Sequence, residues 1–147
     1  MISFTVYGSP IAQPRQRHRA IQVNGRVFAH NYTPAKAPVN QWKSDVKTAA
    51  VNALDAADKV PIWVNPVFLH VWLYLPRPAS KCRRKDSDGS IPCAIKPDID
   101  NAYKSIADAL TGVIYADDKQ VCEIQVRKFY AEKDGRPRAE IKIGVMT

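Results

Sequence analysis

The chain has 147 residues, with 22 lysines and arginines against 14 aspartates and glutamates, a formal charge of +8 and three cysteines. That length suits one domain with one hydrophobic core spanning residues 1–147, and the charge points to an anionic partner, with nucleic acid the leading candidate. No apolar run approaches the roughly 18 residues of a membrane span, no signal segment is visible, and Cys82, Cys93 and Cys122 show neither CxxC nor zinc-type spacing, so reduced thiols in a cytoplasmic protein are expected.

Residues 2–7, ISFTVY, are β-branched and aromatic and run into Gly8-Ser9-Pro10, the pattern of a strand entering a loop. The loop continues through Arg15, Arg17, His18 and Arg19, and no acidic residue occurs before Asp45. The segment is therefore either a solvated loop or a set of phosphate contacts. Beyond it, QVNGRVFAH reads as a hairpin turning at Asn24-Gly25. From Pro38 to residue 58, Trp42, Val46, Ala50 and Leu54 recur at helical spacing, with Lys43 and Lys47 on the polar side, and Trp42 is expected in the core. VFLHVWLYL, bounded by Pro66 and Pro76, predicts a central strand with His70 packed inside it. The stretch from Arg77 to Lys96 loses periodicity and carries Lys81, Arg83, Arg84 and Lys85. Such a run is usually a solvated loop, and here it leads toward an acidic cluster. Asp86-Ser87-Asp88-Gly89 lacks the remaining ligands of a calcium loop.

Residues 96–120 gather five aspartates into this basic protein. Ile99, Tyr103, Ile106 and Leu110 predict an amphipathic helix with Gly112 as its C-terminal stop, and Asp100, Lys104 and Asp108 form a row at four-residue intervals beside the apolar stripe. A short turn then delivers Asp117 and Asp118. Each aspartate has an ordinary reading: Asp98 suits an N-cap, Asp100 complements the helix dipole, Asp108 pairs with Lys104 along the helix, and Asp117-Asp118 suits a turn. Taken together, crowded carboxylates repel unless a hard cation shares them, and Mg²⁺ takes one or two carboxylates with waters and phosphates. The residues thus present a candidate Mg²⁺ site.

After the aspartate pair, residues 121–145 read as two strands, Val121, Ile124 and Val126 in the first and Ile141, Ile143 and Val145 in the second, joined at Asp134-Gly135 as a terminal hairpin. The whole pattern predicts an α+β domain, a mixed β-sheet with two main helices packed on it.

Asp98-Ile99-Asp100-Asn101, Lys104, Asp108-Ala109-Leu110 and Asp117-Asp118 together resemble the RusA-type Holliday junction resolvases, most specifically over residues 96–130. The resemblance implies a RusA-like fold and metal-binding carboxylates at Asp98, Asp100 and Asp118. It also implies an essential lysine at Lys104, basic residues ahead of the aspartates, and a homodimer acting in DNA recombination and repair, often from a phage or prophage. On this reading Asp117 adds an outer metal contact, and Arg15, Arg17, Arg19, Arg83, Arg84 and Lys85 contact DNA. One acidic cluster per chain and two nicks per junction call for a C₂ dimer. Its candidate surfaces are strand 67–75, if at a sheet edge, and the apolar face around Trp42. The expected activity is Mg²⁺-dependent resolution of four-way DNA junctions by paired symmetric nicks. Two alternatives stand beside it: a metal-dependent nuclease for other branched DNA or RNA, and a noncatalytic nucleic-acid-binding protein.

Overall fold

The structure is a computed structural model that describes residues 1–14, 17–32 and 37–147. Its centre is β4 (Val67–Leu75), where alternation sends Val67, Leu69, Val71, Leu73 and Leu75 into the core while Phe68, His70, Trp72 and Tyr74 face the other way, half-buried. A strand so apolar is stabilised by neighbours on both sides. On one side lies β7 (Arg138–Val145), antiparallel, followed by β1 (Ile2–Tyr7); on the other lies β6 (Val121–Tyr130), parallel, followed by the two-residue β5 (Ile91–Pro92). The resulting mixed sheet has five strands.

Both helices cover the same face. In α1 (Pro38–Ala56), Pro38 occupies the first turn, where its missing N–H costs nothing, and Val39, Trp42, Val46, Ala50 and Leu54 are buried. In α2 (Ile99–Leu110), Ile106 and Leu110 are fully enclosed, and so are Ala102, Ser105 and Ala109, because α2 is held between the sheet and α1. The Ser105 hydroxyl donates to the Ile11 carbonyl at 2.6 Å, fastening the loop after β1 to the helix. The helix ends at Leu110, and Gly112 follows with φ of 78°, a conformation that a side chain would strain. The mixed α+β architecture and the central strand agree with the sequence pattern.

Several local expectations are corrected. The two C-terminal strands do not form a hairpin: β6 and β7 lie on opposite sides of β4, so the turn near Asp134-Gly135 steps across the end of the central strand. Burial of the most apolar strand between two partners outweighs the local signal for a hairpin. The same placement removes strand 67–75 from the sheet edge, and Trp42 is 3% exposed, so neither proposed dimer surface survives as stated. His70 lies on the helix-free face, where Nε2 meets Glu123 Oε1 at 2.7 Å, rather than inside the core. Arg17 to Arg19 belong to a strand, not a loop: β2 (Arg17–Val23) pairs with β3 (Arg26–Tyr32) in a separate two-stranded ribbon. Its turn at Asn24 and Gly25 has φ of 51° and 74°, the two left-handed residues that a tight hairpin requires. Arg15 lies outside the described residues.

The apolar stripe read on α2 divides into unequal parts, since Ile106 is fully buried and Ile99 is 40% exposed. Ile106→Ala is expected to cost about 2–5 kcal/mol in urea unfolding. Ile99→Ala is expected to stay within about 0.5 kcal/mol.

Candidate active site

The carboxylates are delivered by two elements that meet along β6. Asp98 is the N-cap residue of α2 and its carbonyl accepts from the Ala102 N–H at 3.0 Å, but its side chain makes no capping hydrogen bond, and among the described residues neither the Asp98 nor the Asp100 carboxylate has a hydrogen-bond or ion-pair partner. An N-terminal aspartate normally lowers the helix energy by capping a free N–H, so an exposed carboxylate that forgoes that bond remains available to a ligand. One turn apart along α2, Asp100, Lys104 and Asp108 look across a cleft of about 280 Å³ toward Asp118, Val121 and Ile124. The cleft is thus acidic at its walls with one ammonium between. Lys104 Nζ donates to Asp108 Oδ1 at 3.1 Å, and Lys43 reaches the other Asp108 oxygen at 4.0 Å. This pairing holds the lysine over the cleft while leaving it 58% exposed.

The two adjacent aspartates after α2 do different things. Asp117 accepts from the Lys119 backbone N–H, while Gln120 Oε1 accepts from the N–H of Asp117, completing a capping box around the 3₁₀ turn Asp118–Gln120. The backbone N–H of Lys119 is the main cause holding the Asp117 carboxyl below its usual range. Gln120 also donates to the carbonyls of Trp63 and Asn65, tying the turn to the segment before β4. Asp118 alone of the pair borders the cleft, and its charge reaches Tyr103. Burial first, then Asp118 and Asp108, push the Tyr103 hydroxyl up to about 12.

Asp98 opens on the neighbouring depression with Lys96 and Pro97, and Asn101 borders both spaces. The structure therefore brings Asp100, Lys104 and Asp118 into one cleft and sets Asp98 beside it. Among the described residues no three His, Cys, Asp or Glu side chains form a ready-made metal cage. Two hard carboxylates facing an open space of about 280 Å³ fit the coordination habits of Mg²⁺, which completes its shell with waters and substrate oxygens. Asp100 and Asp118, with Asp98 adjoining, fit such an ion.

The basic segment ahead of the aspartates lies elsewhere. Arg77 donates to the carbonyls of Lys81, Ser87 and Gly89, and Lys133 binds the carbonyls of Arg83 and Asp86, so the loop is anchored beside the connection leaving β6. Strand β6 has ten residues and so extends about 30 Å at about 3.3 Å per residue, with the Asp118 turn at its other end. Arg83 is also paired: its guanidinium grips Asp86 at 3.1 Å and holds that carboxyl down at about 2. Arg84 and Lys85 are exposed, as is Arg19 on the ribbon.

This distribution of carboxylates, lysine and basic arms coincides with a family match. The model of the endodeoxyribonuclease RusA family matches residues 8–144. The chain belongs to the RusA family of endodeoxyribonucleases. A relative from Bacillus subtilis (strain 168), carrying the name "Uncharacterized protein YqaN", is 40% identical over 149 residues, covering 97% of this chain and 94% of its own. RusA nucleases act on branched DNA junctions. No helix among the described residues is long and apolar enough to cross a membrane.

Sequence reasoning quoted Asn101 without giving it a place, and missed Gln120 altogether. The Asp117-x-x-Gln120 spacing is a capping-box signature that marks Gln120 in the sequence. Asp117→Ala is expected to lower stability by about 0.5–2 kcal/mol through loss of the cap. Asp118→Ala is expected to leave the urea midpoint unchanged or raise it, since it relieves repulsion in the acidic cleft.

Proposed function

We propose that this RusA-family protein resolves four-way DNA junctions by paired symmetric nicks in a Mg²⁺-dependent phosphodiester hydrolysis. The observation that carries this reading is the cleft in which Asp100, Lys104 and Asp118 meet from two separate elements. Bound Mg²⁺ would supply an activated water and neutralise charge on the scissile phosphate. Asp100 and Asp118 hold the ion, Asp98 completes the set from the helix start, and Asp117 is left an outer contact because its oxygen already caps the turn. Lys104, held by Asp108, contacts the phosphate and stabilises the charge that develops there. Arg15, Arg17 and Arg19 on and before the β2–β3 ribbon, and Arg83, Arg84 and Lys85 at the opposite end of β6, contact DNA backbone.

One cleft per chain and two nicks per junction imply two chains related by the dyad of the substrate. The helix-free sheet face supports that assembly. Phe68, His70, Trp72 and Tyr74 form a line along β4, Phe129 stacks on Tyr74 at 5.6 Å, and Arg138 lies over the Tyr74 ring at 3.9 Å while gripping Glu132 and Glu140. An aromatic centre with a charged rim matches the usual anatomy of an interface, and two such sheets stack about 10 Å apart.

Offered junction, flap, duplex and RNA substrates under one condition, the protein is expected to cut the junction fastest. Faster cleavage of flaps or RNA would favour the simpler nuclease, and no metal-dependent cleavage would leave a binding protein. Asp100→Asn is expected to abolish nicking in Mg²⁺ while junction binding in gel shifts stays equal or tightens, because one charge repelling phosphate is gone.

For the assembly, light scattering of the wild type is expected to give twice the 16.5 kDa chain mass. Trp72→Glu, which places a charge in the aromatic line, is expected to give the chain mass and to turn coupled linearisation of a cruciform plasmid into single nicks. A wild-type monomer that remains monomeric on DNA contradicts paired nicking.

A further inference from the structure

We infer that Lys128 is a positioning residue for the metal-binding carboxylates, acting from β6 through the backbone that enters α2. Lys128 belongs to the inward row of its strand with Ile124, Val126 and Tyr130, a row otherwise apolar. Its ammonium forms no ion pair among the described residues; it donates instead to the carbonyls of Ile95 and Pro97, the latter at 2.7 Å. Its own carbonyl accepts from the Cys93 N–H at 3.3 Å. One residue thus holds the segment 93–97 at three points, and the last of them is the carbonyl directly before Asp98.

The placement opposes the ordinary electrostatics of a helix start. The N-terminus of α2 already carries the positive end of the helix dipole, so an added ammonium there raises the energy unless negative charge is close by. Two carbonyls absorb part of that charge, and the exposed carboxylates of Asp98 and Asp100 sit within the first turn. The lysine fixes the path of residues 95–98 and thereby the direction in which Asp98 and Asp100 leave the helix. Loss of groups that orient metal ligands from behind typically costs about 10–100-fold in metal affinity or activity, and a lysine that only directs the ligands, without touching phosphate, acts through affinity.

The inference rests on the metal-site reading above, so its test measures metal binding as well as nicking. Lys128→Met keeps most of the stem and removes the donors, and Mn²⁺ binding to the DNA-free protein is followed by electron paramagnetic resonance of the free ion. The dissociation constant is expected to rise about 10–100-fold, as for other groups that orient metal ligands. The Mg²⁺ midpoint for nicking should shift by a similar factor, while the single-turnover rate at saturating Mg²⁺ and the metal-free junction affinity stay unchanged. Lys128→Arg, which retains charge and donors, is expected to recover most of the affinity, and Lys128→Gln, which removes the charge, is expected to weaken Mn²⁺ binding as the methionine does and keeps the test decisive if that variant fails to fold. Two results overturn the inference: unchanged Mn²⁺ affinity in the methionine or glutamine variant, or a rate defect that saturating Mg²⁺ does not restore. If wild-type Mn²⁺ binding is absent or insensitive to Asp118→Asn, the metal-site reading itself falls, and this role for Lys128 falls with it.

Discussion

The parallel pairing of β4 with β6 is the constraint on which the rest of the structure depends. A parallel neighbour cannot be reached by a tight turn, so the chain must cross back over the sheet, and α2 is that return. The crossover places the polar row of α2, Asp100 to Lys104 to Asp108, over the start of β6, where the turn carrying Asp118 begins. The acidic cleft is therefore a product of topology: two stretches eight or more residues apart in sequence become facing walls. Burial of β4 between β6 and β7 supplies the driving force, because its inward side chains are almost wholly enclosed.

That arrangement separates scaffold from chemistry. The inner face of α2 is committed to the core through Ile106, Leu110 and the Ser105 hydroxyl, so its outer row is held on a rigid element. The Asp117–Gln120 capping box does the same for the turn, with Gln120 reaching back to Trp63 and Asn65. Rigid carriers matter for a site built from repelling carboxylates, since a looser scaffold would let them move apart and lose a cation. The basic residues are distributed differently, on the ribbon that follows the segment bonded to Asn101 and on the loop stapled by Arg77 and Lys133 at the other end of β6.

The features legible in the sequence were those with local causes. The period of Ile106 and Leu110, the proline opening α1, the Asn24-Gly25 turn and the alternation along β7 each depend on residues within a few positions of one another. The aspartates and Lys104 stood out because their spacing lies within one helix and one turn. What was not legible required knowing which distant strands pair. Residues 121–145 carry a convincing hairpin pattern, yet β4 separates the two strands. The loop bearing Arg83 to Lys85 precedes the aspartates in sequence but sits at the far end of β6, because parallel register carries the chain away before α2 brings it back. Nothing in the sequence singles out Lys128, because its two carbonyl partners lie 33 and 31 residues away.

The central claim is that α2 and the Asp118 turn together hold a divalent cation. Anomalous diffraction from crystals grown with Mn²⁺ and a junction DNA tests it most directly. The account predicts a peak in the cleft at roughly 2.0–2.3 Å from carboxylate oxygens of both Asp100 and Asp118, the range for hard divalent ions on oxygen ligands. A peak seated elsewhere, such as at Asp86 and Asp88, with the cleft empty beside a bound phosphate, would contradict it.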